Sequence, residues 1–157
     1  MLILFINDYK FLFNNEEKRT EKIKEFEQNL NKRIQEIEIK WKETNIIDRN
    51  NNKFNEYSQT VLQELQKLNN DLRKMSELKS DNFKKDVNFL LNLEKENYRI
   101  TLNIFINKIN CFDLMTKDED DYKLLQKEKE IAEMKQNLES IREEINDFVT
   151  NLKYKYL

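Results

Sequence analysis

Catalysis and metal binding need particular side chains at particular spacings, and this chain carries few such sets. Asp118, Glu119, Asp120 and Asp121 form its one dense acidic cluster. Clustered carboxylates suit a hard cation such as Ca²⁺. An EF-hand loop, however, needs ligands at alternate positions and a turn glycine, and the cluster has neither. Acids in the first turn of a helix complement the positive end of its dipole, which explains the cluster without a metal. Cys111 is the single cysteine, which excludes an internal disulfide and points to a reducing intracellular compartment, cytoskeletal structures included. A nucleophilic thiol or hydroxyl needs a base to activate it. Histidine is absent, so neither Cys111 nor any serine has an imidazole for that role. Glycine is absent too, which removes the phosphate-cradling loops. These residues predict a protein that is not an enzyme and uses no cofactor or metal.

The informative spacing is apolar. With Leu124 at heptad position a, Leu124, Ile131, Leu138, Ile145 and Leu152 all fall on a, while Met134, Ile141 and Phe148 fall on d. Lys127 and Lys155, near the two ends, are the breaks in the d series. A repeat of 3.5 residues keeps one stripe facing a neighbour only where helices wind around each other. The stripe gains nothing facing water, so it predicts a partner helix from this chain or from another. Those eight a and d residues are the expected partner interface, and Trp41 is a possible anchor beside them. The flanking charges permit parallel self-pairing, since Lys123 would meet Glu128 and Glu130 would meet Lys135 of a second copy. A heteromeric partner fits equally well. Thr116 and Glu119 have the T-x-x-E spacing of a capping box, which predicts that this last helix starts there.

The rest of the chain must position that helix. Residues 1–13, MLILFINDYKFLF, form an apolar segment that lacks the positive region and small-residue cleavage site of a signal peptide. It is also far shorter than the roughly 20 apolar residues that span a bilayer. It is expected to pack on the helices; a membrane-surface foot is the weaker reading, because no basic residue precedes Lys10. Residues 14–157 read as one helical domain, with helices over about 15–44, 52–78, 81–115 and 117–155. Asn14 is the expected cap of the first, whose stripe is Ile23, Phe26, Leu30, Ile34, Ile37 and Trp41. Residues 48–52, DRNNN, are the expected break before the second helix, in which Phe54, Tyr57, Val61, Leu65, Leu68, Leu72 and Met75 share a face. Ser80 or Asp81 should cap the third. That helix is apolar on most faces over 100–115, which predicts the buried centre of the assembly.

Composition agrees with this. Charged residues are 37% of the chain and apolar ones 38%, between the two in seven of a coiled-coil seam and the three in seven of a globular bundle helix. Glycine and proline are both absent, as a helical design allows. The Asn-, Lys- and Ile-rich balance also resembles the output of an AT-rich genome. A net charge of −2 with interspersed signs lacks the cationic surplus that nucleic-acid binding requires. The fold expected is all-α: long amphipathic helices in a coiled coil or elongated helical bundle, with no β-sheet. The expected function is a structural coiled-coil subunit or scaffold of a larger assembly of the cytoskeletal, ciliary, kinetochore or vesicle-tethering kind. A self-contained four-helix adaptor and a membrane-surface protein are the alternatives.

Overall fold

A computed structural model describes residues 10–25, 28, 32, 35, 36, 39, 52–77, 79–116 and 121–156. The described chain is helical, with no strand among the described residues. We label the helices α1 (residues 10–25, with 28, 32, 35, 36 and 39 also helical), α2 (Asn52–Glu77), α3 (Asp81–Thr116) and α4 (Asp121–Tyr156). At 1.5 Å per residue, the 36 residues each of α3 and α4 reach about 54 Å. No described helix is long and apolar enough to cross a membrane.

Local chemistry explains the α2–α3 junction. The Ser80 hydroxyl accepts from the Phe83 backbone N–H at 3.4 Å, and the Lys84 N–H bonds the Ser80 carbonyl at 3.1 Å. Ser80 is therefore the N-cap of α3. Asp81 lies in the first turn, within 3.7 Å of Lys84. At the far end of α4, Lys153 and Lys155 occupy the last turn, where cations suit the dipole.

Three sequence expectations are corrected. Asn14 caps nothing: α1 is already helical at Lys10 and runs through Asn14 and Asn15. The reason is tertiary. Asn15 directs its amide across to α2, where Nδ2 donates to the Leu68 carbonyl at 3.0 Å. Thr116 does not open the last helix either, because it is the final residue of α3, and α4 starts at Asp121. Ile109 and Cys111 still pack against core residues near that end, so α3 stays helical past them; Glu119 lies outside the described residues. Finally, the deepest part of α3 is not 100–115. Phe83, Val87, Leu90 and Leu91 are at most 2% exposed, whereas Ile106 and Met115 are 42% and 41% exposed. The earlier turns of α3 meet three other helices, and the later ones turn one face to water. Residues 48–51 lie outside the described set.

The core has three parts. Leu12 of α1, Leu72 of α2, five α3 residues from Phe83 to Leu93, and Ile145 and Leu152 of α4 make the first, where all four helices meet. Ile23, Val61, Leu65, Tyr98 and Phe105 join α1, α2 and α3 in the second. Ile100 and Ile104 meet Ile131 and Leu138 in the third, between α3 and α4. Long-range contacts fix the direction of α3 against α4. Lys155 bonds Asp86 at 2.6 Å, Arg142 bonds Asn97 at 3.2 Å, and Asn107 lies 3.9 Å from the Met134 sulfur. One residue number rises as the other falls, so the two helices are antiparallel.

Candidate functional site: the heptad seam and a buried polar cluster

The heptad stripe of α4 faces α3 of the same chain. At the a positions Ile131, Leu138, Ile145 and Leu152 are buried, and Leu124 is half-buried. At the d positions Met134, Ile141 and Phe148 are half-buried and pack on the same core clusters. The Phe148 ring lies 4.8 Å from that of Phe89 on α3, tilted by 59°, within the range for favourable aromatic pairing. The two lysines that interrupt the d series are accounted for. Lys155 reaches across to the Asp86 carboxylate, and Lys127 bonds Glu130 at 2.7 Å. Glu130, one of the charges suited to pairing with a second copy, thus has a partner in its own chain. Lys123, Glu128 and Lys135 are exposed. From Glu133 to Asn151 every exposed residue of α4 is polar, so that length of the helix has one apolar stripe, and α3 covers it. Trp41 lies outside the described residues.

The remaining candidates offer little chemistry. Asp121 is the exposed first residue of α4, and Asp118 to Asp120 lie outside the described residues. Among the described residues, no group of His, Cys, Asp or Glu is placed to hold a metal. Cys111 is half-buried, and burial, aided by Glu128, pushes its thiol up; a protonated thiol is a poor nucleophile.

Sequence reasoning passed over a polar cluster in the interior. Asn15, Glu16, Arg19, Glu94, Asn97 and Thr101 are all buried, and Arg19 is only 1% exposed. The buried residues of α1 are Leu12, Asn15, Glu16, Arg19 and Ile23, a helical stripe whose middle is polar. The signal was available: stepping back from Ile23 by four and then three residues lands on Arg19 and Glu16. On α3, Leu90, Glu94, Asn97, Thr101 and Ile104 make the same kind of stripe. A search for apolar periodicity skips polar residues that keep the register.

The cluster is partly satisfied. Arg19 Nε donates to Asn15 Oδ1 at 2.6 Å, Asn97 Nδ2 donates to Glu94 Oε2 at 3.4 Å, and Arg142 Nε of α4 donates to Asn97 Oδ1 at 3.2 Å. Thr101 donates back to the Asn97 carbonyl at 2.9 Å. Nη2 of Arg19 is buried without a hydrogen-bond partner, which costs about 1–3 kcal/mol. The buried Glu16 carboxyl has only the neighbouring Glu94 carboxyl with which to share a proton. Burial first, and then the neighbouring Glu94 carboxyl, pushes Glu16 up to about 10, so it is protonated at neutral pH. Burial also draws the Arg19 guanidinium below its ordinary range, against the pull of Glu16 and Glu94. The result is a polar layer that links α1, α3 and α4 and, through Asn15, α2.

Comparison with protein-family models, with curated proteins and with solved structures gives no match. The functional reading rests on the residues themselves.

Proposed function

We propose that the chain is a self-contained, elongated antiparallel helical bundle that serves as a protein-interaction adaptor, with its heptad seam closed inside the molecule. One observation carries this reading: the only long apolar stripe of α4 is buried against α3 of the same chain. Its partners are proteins that dock on the outer faces, and its mechanism is mechanical. Stiff helices of about 54 Å set the distance between whatever binds at either end.

A second reading, the structural subunit of a larger coiled-coil assembly, is favoured by a different feature. At the end where α3 finishes and α4 begins, Met115, Tyr122 and Leu125 are exposed, Tyr122 at 70% and Leu125 at 65%. A neighbouring subunit would find apolar surface there. Light scattering with small-angle X-ray scattering on the isolated chain separates the two. The adaptor reading expects an extended monomer near 19.4 kDa that keeps its mass over a wide concentration range. A chain that is unfolded alone and becomes helical only with an added partner would overturn it.

A further inference from the structure

We propose that the half-open cavity lined by α1, α2 and α3 is a binding site for a small organic carboxylate with a short aliphatic tail. The cavity, of about 230 Å³, has Arg19, Arg73 and Lys95 on its wall, with Ile23, Leu62 and Leu65 as its apolar lining. Its volume is below the roughly 300–1,000 Å³ of drug-sized ligand sites, which suits a short-chain acid and excludes a nucleotide.

Charge selects the anion. Three cations line the space, and Glu94 is the one acid among the lining residues. Glu94 is 5% exposed and belongs to the buried cluster around Arg19 and Glu16. Glu94 also faces Arg19 and Glu16 in that cluster. Arg73 and Lys95 are exposed and make no ion pair among the described residues, so cations outnumber the single acid of the wall. A guanidinium presents a planar fork that matches a carboxylate, and Lys95 adds a point charge beside it. Arg19 contributes a second incentive: its Nη2 is buried and has no hydrogen-bond partner, an arrangement that a nearby negative charge relieves. The tail is selected by the aliphatic wall, where Ile23 and Leu65 are buried, only 3% and 7% exposed, and Leu62 stands at the rim, 40% exposed. A neutral alcohol would fill the same wall but leave the cations unmatched, and a cation would be repelled.

Hexanoate titrated into the isotopically labelled full chain at neutral pH tests this by NMR. Saturable, one-to-one shifts are expected at the amides of Leu62, Gln66, Asn69 and Lys95. 1-Hexanol and inorganic phosphate should each bind about tenfold more weakly or worse, because one lacks the charge and the other the tail. Arg73→Gln with Lys95→Gln should cost about tenfold in hexanoate affinity, with helicity by circular dichroism unchanged because both side chains are exposed. The single variants, each with a smaller loss, serve if the pair perturbs folding. Non-saturating shifts, shifts centred elsewhere, equal affinity for 1-hexanol, or affinity untouched in the folded variants would each overturn the proposal.

Discussion

Glu16 and Arg19 are the residues whose types disagree most with their positions. Both sit in core register and both are buried; Arg19 Nη2 has no hydrogen-bond partner, and the Glu16 carboxyl has only that of Glu94 beside it. The consequence for Glu16 is a pH dependence. Between its ordinary value of 4.5 and about 10, the folded chain holds a proton that the unfolded chain releases. Stability therefore falls as pH rises through that window, by at most about 1.4 kcal/mol per unit. Urea unfolding at about pH 5.5 and about pH 8.5 reads this directly: the wild-type midpoint should be lower at the higher pH. Glu16→Gln should flatten the slope and match or exceed wild type at the higher pH. A variant with the wild-type slope would show that Glu16 is not the titrating group. The wider cluster gives a second prediction. Arg19→Met alone should cost about 3–5 kcal/mol, since it removes the cation that lies among the buried Glu16 and Glu94 carboxyls. Glu16→Leu, Arg19→Met and Glu94→Leu together should be neutral or stabilising by about 1–4 kcal/mol. Chemical denaturation measures both, and a triple variant as unstable as the single one would contradict this account of the cluster.

At the scale of the elements, the apolar repeat of α4 and the Ser80 cap of α3 were legible because their physics is local or strictly periodic. Leu138, Ile145 and Leu152 are buried where a 3.5-residue repeat places them. The direction of the neighbour was not legible. Lys123, Glu128, Glu130 and Lys135 suit a parallel second copy, yet Lys127 bonds Glu130, and the stripe faces an antiparallel α3. Charges flanking a seam report only what pairing they permit. The Asn14 and Thr116 caps failed for a related reason: residue types that can end a helix do so only where packing lets the helix stop. Asn15 is bonded to α2, and Ile109 and Cys111 keep the end of α3 packed. The polar stripe of α1 was hidden because a helix built around Glu16 and Arg19 looks, to a hydrophobicity pattern, like a helix with a gap. The difference between a seam position and the off-seam Leu125 beside Leu124 is itself testable. Ile145→Ala should cost about 2–5 kcal/mol, while Leu125→Ala, at 65% exposure, should stay within about 0.5 kcal/mol. Thermal unfolding of the two variants compares them, and equal losses would place the seam elsewhere.

For the whole molecule, the three core clusters run from a region shared by all four helices to one made by α3 and α4. The two ends of the α3–α4 pair differ: one is closed by Phe83, Leu72 and Leu152, the other carries the exposed Met115, Tyr122 and Leu125, and the polar cluster lies between them. Everything proposed about the function depends on α4 pairing with α3 of its own chain. Electron–electron double resonance between spin labels at Lys85 and Tyr154, in a Cys111→Ser background, tests that most directly. Both positions are exposed and adjoin the Asp86–Lys155 contact. The doubly labelled chain is measured alone and then diluted into a large excess of unlabelled chain. A short, narrow distance that survives dilution is the predicted result. A distance that disappears on dilution would mean that the seam joins two chains, and the adaptor reading would give way to that of an assembly subunit.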